Sequence, residues 1–143
     1  MTEVSAEQLR DLVMSSSRAL RRRWFTALEP WELSPHEFRA LRVIHRECDG
    51  RPRLGDVAKA LRIAPRSVTE VVDRLQKRGL VERVADGADR RAVCVQLTDT
   101  GRELIAEMSA ARDAQAADFF APLDAHDRAD LHRILDKLGA DGR

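Results

Sequence analysis

Hydrophobic positions along the chain follow two spacings, and the switches between them mark out the elements. Leu9, Leu12, Val13, Leu20, Trp24 and Leu28 fall on one helical stripe, which predicts a first helix over about 6–28, ended by Pro30. Ser34-Pro35-His36-Glu37 is a helix start: Ser34 caps, Pro35 fits the first helical position and Glu37 closes a capping box. Phe38, Leu41, Ile44 and Cys48 then form the buried stripe expected of helix two, and Asp49-Gly50-Arg51-Pro52 is the turn behind it. Leu54, Val57, Ala58 and Leu61 recur at helical spacing, and after Ile63-Ala64 the pattern restarts at Pro65 with Val68, Val71, Val72 and Leu75. Gly79 stands just past the end of that fourth helix, a usual helix stop.

The period then changes. Leu80–Val84 reads as a strand, Ala85–Arg90 as a polar turn, and Val93, Val95 and Leu97 alternate with Ala92, Cys94 and Gln96 as in a half-buried strand. Two short helices joined by a few residues suggest a helix-turn-helix, although any packed helix pair gives the same pattern. A hairpin placed directly after the second of them is a wing. Helical spacing resumes when Thr98 or Asp99 caps a long fifth helix with Leu104, Ile105, Met108, Phe119 and Phe120. Pro122 breaks it, and Asp124 caps a last helix carrying Leu131, Ile134, Leu135 and Leu138. The expected fold is mainly α with a small β-wing: a single domain over 1–143, with a winged helix-turn-helix at about 34–98 between flanking helices at about 6–33 and 99–140.

Composition sharpens this only in places. The 143 residues suit one domain, and 43% hydrophobic with 34% charged residues allow a core under a heavily charged surface. The start lacks a basic stretch followed by an apolar one, and no apolar run approaches a membrane span, so a cytoplasmic protein is expected. The net charge of +1 hides a division: residues 53–91 carry +4 and residues 92–143 carry −4. On charge alone the basic centre reads equally as a nucleic-acid face or as solvated surface.

The candidate chemistry lies on helix four and the wing. With the valine stripe inward, Arg66, Glu70, Asp73 and Lys77 point outward and Ser67, Thr69 and Arg74 flank them. Arg66 can pair with guanine O6 and N7, and Glu70 can accept from a cytosine amino group. Ser67 and Thr69 can meet bases or phosphates, and Arg74 and Lys77 suit the backbone. Glu70 and Asp73 also fit an ordinary charged face, since acids near phosphates cost affinity unless they read a base or pair with Arg66 or Arg74. In Asp89-Arg90-Arg91, an arginine suits a narrow minor groove and Asp89 can hold the Arg91 guanidinium as a planar fork; the plain alternative is two solvated arginines.

The stretch Val72-Asp73-Arg74-Leu75, Arg78-Gly79-Leu80-Val81-Glu82-Arg83 and Asp86-Gly87-Ala88-Asp89-Arg90-Arg91 through Leu97-Thr98-Asp99-Thr100-Gly101 resembles the signature of the multiple-antibiotic-resistance regulator (MarR) family. The D-x-x-D-R-R and L-T-x-x-G block is the specific part, and the order of six helices extends the resemblance over nearly the whole chain. The resemblance implies a homodimer with intertwined first and last helices. It also implies two winged helices on a pseudopalindromic operator in double-stranded DNA, transcription regulation usually by repression, and release by a small ligand. By position, Arg91 enters the minor groove, Asp89 orients it and Arg90 touches the backbone. Ala64 departs from the pattern, since relatives often carry a Ser or Thr cap there. In relatives the ligands, often aromatic acids or phenols, lie between the dimer helices and the winged domain; Trp24, Phe25, Trp31, His36 and Arg39 fall in or near that segment here. Trp24 also reads as core, His36 as surface, and Arg21-Arg22-Arg23 as a triple that neutralises an anionic ligand, contacts DNA or forms a solvated face.

No cofactor or metal is expected: His36, His45, His126 and His132 show no ligand spacing, and Cys48 and Cys94 do not join them. Cys48 is expected buried and inert, Cys94 outward and accessible. No nucleophile elbow, phosphate-binding glycine loop or dinucleotide fingerprint points to an enzyme. The other reading is a winged helix serving as a protein-interaction module without specific DNA binding, against which the wing arginines argue. The apolar stripes of the first and last helices have no obvious place on a compact helix-turn-helix, which marks them as association surfaces unless they fold back within one chain.

Overall fold

A computed structural model describes residues 3–139, so the outer ends of the 1–143 domain, including residue 140 where the last helix is expected to stop, lie outside the described residues. Among these, helices α1 (Ala6–Leu28), α2 (Pro35–Arg46), α3 (Leu54–Leu61) and α4 (Pro65–Lys77) precede strands β1 (Val81–Ala85) and β2 (Val93–Leu97). Helices α5 (Asp99–Phe119) and α6 (Ala125–Gly139) follow. Local chemistry sets most of the helix starts. Ser5 and Gln8 form a reciprocal capping box at α1, with bonds of 3.2 and 2.9 Å. Ser34 and Glu37 do the same at α2, with 3.1 and 3.5 Å. Asp124 accepts from the Asp127 amide at 2.8 Å at the head of α6. Ala64 offers α4 no side-chain cap, and Pro65 alone fits its first turn.

The core lies between α2, α3, α4, the hairpin and the first half of α5. Phe38, Leu41 and Ile44 meet Val57 and Leu61, the stripe Val68, Val71, Val72 and Leu75, and Val81, Val95, Ile105 and Met108, all buried. Trp24 of α1 leans edge-on against Phe38 with ring centroids 4.9 Å apart. The two strands pair antiparallel, Val81 opposite Leu97 and Ala85 opposite Val93, so β1 sits one residue later than the pattern suggests.

The junction between wing and α5 is tight. Thr98 Oγ1 donates to the Gly79 carbonyl at 2.6 Å and accepts from the Gly101 amide at 3.0 Å, capping α5. Gly101 is packed so closely on the chain below that a Cβ there would lie 2.0 Å from the Leu80 carbonyl oxygen. The glycine of the L-T-x-x-G block is therefore required by space.

Both cysteines depart from expectation. Cys48 is exposed, outside α2, in a 3-10 turn where it and Asp49 adopt left-handed backbone (φ 47° and 55°). Helix α2 ends at Arg46 because the chain reverses there, which takes Cys48 off the stripe. Cys94 is buried where the segment before α3 pairs along the free edge of β2: the Val95 amide donates to the Pro52 carbonyl at 2.9 Å, and Arg53 bridges to Cys94.

The flanking helices bury little. Helix α6 has no buried residue and α1 buries only Leu28. Leu9, Leu12, Val13 and Met14 of α1, and Ile134, Leu135 and Leu138 of α6, stand exposed on this single chain. No helix among the described residues is long and apolar enough to cross a membrane.

Candidate nucleic-acid interface

Helix α4 is split cleanly by its own packing. The stripe from Val68 to Leu75 is buried, which leaves Arg66, Thr69, Glu70, Asp73, Arg74 and Lys77 exposed and Ser67 half-buried. The Thr69 hydroxyl donates to the Pro65 carbonyl at 3.2 Å, so outward it is free only to accept. Among the described residues no ion pair engages Arg66, Glu70, Arg74 or Lys77.

Two side chain-to-backbone turns shape the wing. Asp86 Oδ1 accepts from the Ala88 amide and Asp89 Oδ1 accepts from the Arg91 amide, each at 2.9 Å. Asp89 thus orders the backbone of the tip and does not grip the Arg91 guanidinium as expected. The consequence is that Arg90 and Arg91 are exposed with no acidic partner among the described residues.

Other cations are anchored, and sequence reasoning missed them. Arg83 of β1 holds Asp73 at 2.6 Å and also donates to the Gln76 side chain, two acceptors one turn apart on α4. Asp73 therefore pairs with the hairpin and not with Arg66 or Arg74. Arg53, just before α3, donates through Nε and Nη2 to Asp86 Oδ2 at 2.8 and 2.6 Å. The Ala88 amide, then Arg53, hold the Asp86 carboxyl below its ordinary range, and the same pairing raises Arg53. Arg78 donates to the Trp31 and Glu32 carbonyls at 2.6 and 2.9 Å, fixing the end of α4 to the turn after α1. The partners of Arg53 and Arg83 lie on other elements, so no local spacing announces them. The one available signal is Asp73 itself, an acid on a face otherwise suited to phosphates.

The expected pocket residues are not brought together. Trp24 lines a groove of about 330 Å³ between α1 and α5 with Leu20, Arg21 and Arg112. Trp31 instead points its Nε1 at Glu107 of α5, 3.4 Å away, and His36 and Arg39 are exposed on the first turns of α2. Phe25 is exposed. Of the arginine triple, Arg23 is spent on Asp118 at 3.2 Å and on the face of Phe119, while Arg21 borders the groove. Arg42 lies over the Phe38 ring, and burial followed by the neighbouring Arg112 and Arg46 charges lower its pKa. Cys48 is raised, first by partial desolvation and then by Asp56, whose carboxylate lies 3.7 Å from the thiol. No group of three or more His, Cys, Asp and Glu side chains among the described residues is arranged to hold a metal ion.

Comparison with known proteins agrees with this geometry. The MarR family profile matches residues 31–92, the stretch from the turn after α1 to the wing tip. The HTH-type transcriptional regulator YhbI of Bacillus subtilis (strain 168) is 30% identical over 132 residues, 92% of this chain and 84% of that one. A MarR family protein from Bacillus stearothermophilus superposes with a TM-score of 0.85 at 26% identity, covering 99% of this chain and 97% of the other. BpsR of Bordetella bronchiseptica, whose DNA binding is regulated by 6-hydroxynicotinic acid, gives 0.72 at 27% identity over 97% and 98% of the two chains. A mutant MarR from E. coli, complexed with operator DNA, shares the fold with a TM-score of 0.72 at 24% identity over 91% and 92%.

Proposed function

The chain belongs to the MarR family of transcriptional regulators, which are not enzymes, and from that premise we propose that it is a cytoplasmic homodimeric repressor of a pseudopalindromic operator. Arg66, Ser67, Thr69 and Glu70 of α4 read bases in the major groove, Arg74 and Lys77 hold the backbone, and the tip residues Asp89, Arg90 and Arg91 address the minor groove. One observation carries this reading. The cations inside the hairpin and its mounting are paired within the chain, while those at the two places that meet DNA in a winged helix are left without acids. Charges left unpaired at those two places are available to a polyanion, and each phosphate neutralised releases counterions.

Association follows from the exposed stripes of α1 and α6, which a second copy would cover. Two recognition helices must then lie about 34 Å apart to enter successive major grooves on one face. Regulation follows from the groove beside Trp24: an aromatic wall flanked by Arg21 and Arg112 suits a small aromatic acid or phenol, and its position against the long helices would couple occupancy to the spacing of the half-dimers. Trp31, His36 and Arg39 are assigned to the same ligand only if the dimer partner or a closed state brings them near.

The test is selection from a random duplex pool by the purified protein. An enriched inverted repeat with half-sites about one helical turn apart supports the reading. Arg91→Ala then weakens binding across all sequences, whereas Arg66→Ala relaxes preference at one base pair. Weak, salt-sensitive retention without an enriched motif points instead to a winged helix whose partner is a protein.

A further inference from the structure

Asp73 poses a problem for any DNA-binding reading. It lies on the outward face of α4, more than half exposed, among residues placed to meet phosphates and bases. An unpaired carboxylate there would repel the backbone. The geometry removes the problem by spending the acid on the hairpin. Arg83 leaves the middle of β1, opposite Val95, and its two terminal nitrogens reach Asp73 and Gln76. These acceptors stand at i and i+3 on α4, so one planar guanidinium spans a full turn of the helix. Two contacts on one rigid fork fix an angle, which a single contact does not. On the far side of the hairpin, Asp86 follows β1 directly and is locked to Arg53 at the head of α3. The hairpin is thereby fastened, at mid-strand and near its loop end, to both helices of the helix-turn-helix.

We propose that Arg83 is a positioning residue for operator recognition: by gripping Asp73 and Gln76 it sets the wing against α4, so that the tip reaches the minor groove while α4 occupies the major groove. This rests on the DNA-binding reading above and adds the device that makes the two contacts simultaneous. A wing less firmly held must give up orientational freedom on binding, and that ordering is subtracted from affinity. Arg83 itself is turned inward to α4 and its charge is neutralised, so it acts through the placement of Arg90 and Arg91.

The experiment compares wild type, Arg83→Ala and Asp73→Asn on a duplex carrying the motif that wild type enriches. Hydroxyl-radical cleavage reads the minor groove, and protection of guanine N7 from methylation reads the major groove. For both variants we expect N7 protection to persist and minor-groove protection to fade. Affinity should fall about tenfold, with a shallower salt dependence as wing phosphate contacts are lost. Melting temperatures should stay near wild type, because a partly exposed pair carries little stability. Asp73→Asn separates the roles: if Asp73 did no more than repel phosphates, removing its charge would tighten binding, which overturns the proposal. Wild-type protection in both grooves by both variants overturns it as well. If Arg83→Ala does not fold, Asp73→Asn alone decides. Absence of any protection with wild type overturns the operator reading and this inference together, which distinguishes the two failures.

Discussion

At the scale of single residues, the structure separates side chains that hold the fold from those held ready for a partner. Gly101 belongs to the first group. Its Cα hydrogen faces the Leu80 carbonyl, and the approach is to backbone, which cannot swing aside. Gly101→Ala should therefore force α5 off the wing junction and cost about 1–3 kcal/mol, the range of overpacked core sites. Urea denaturation followed by circular dichroism checks this, and an unchanged midpoint would refute the close approach. Arginines divide in the same way: Arg53, Arg78 and Arg83 are fasteners, while Arg66, Arg74, Arg90 and Arg91 are not. The sequence could present all of these as one basic region but could not sort them, because a fastener is defined by an acceptor on another element. Cys48 and Cys94 lie in environments opposite to those their spacing predicts, for the same reason. Periodicity reports the face a residue occupies within its own element, and both cysteines are decided by a chain reversal at Arg46 and by the strand-like segment at Pro52–Arg53.

At the scale of elements, legibility was high wherever the determinant was local. The first helix runs over Ala6–Leu28, the stripe of α2 is buried up to Ile44, those of α3 and α4 are buried apart from half-buried Leu54, and the caps at Ser34 and Asp124 form. Helix α4 is the exception that suggests an experiment. Its Ala64 occupies the N-cap with extended backbone (φ −64°, ψ 146°), the conformation a capping serine needs, yet it has no side-chain oxygen to offer. The Ser67 amide already bonds to the Ala64 carbonyl at 3.0 Å, so a serine hydroxyl at this position would share that donor or take the Arg66 amide. Ala64→Ser should stabilise the fold by about 0.5–1 kcal/mol without moving α4. Because it leaves the outward face unchanged, the preferred operator should stay the same. A rise in thermal midpoint with an unchanged selected motif is the expected result; no rise would mean that backbone solvation already satisfies the first turn of α4.

At the scale of the whole molecule, the folded unit and the long helices obey different rules. The core ends near Met108; beyond it Phe119 and Phe120 are half-buried, and the uncovered apolar side chains are Ile134, Leu135 and Leu138 of α6 with Leu9, Leu12, Val13 and Met14 of the first half of α1. Leu12 is 62% exposed and Leu138 67%. Fully burying one such side chain is worth roughly 1.5–3 kcal/mol, so a handful of them covered by a second copy drives strong association. These exposed positions contribute nothing to the monomer's core, unlike Trp24 and Leu28 further along α1, and substitutions at them should spare the winged domain. Leu12→Glu with Leu138→Glu should convert a dimer into a monomer by sedimentation while the α-helical signal of the winged unit persists. Binding to an inverted repeat should then fall by about two to four orders of magnitude, because the second half-site no longer benefits from a high effective concentration. Binding to an isolated half-site should change little. A doubly substituted protein that remains dimeric would place the interface elsewhere. One that becomes monomeric yet binds the full repeat as before would show that each winged unit recognises its half-site alone, and regulation through the spacing of two halves would then have no physical basis.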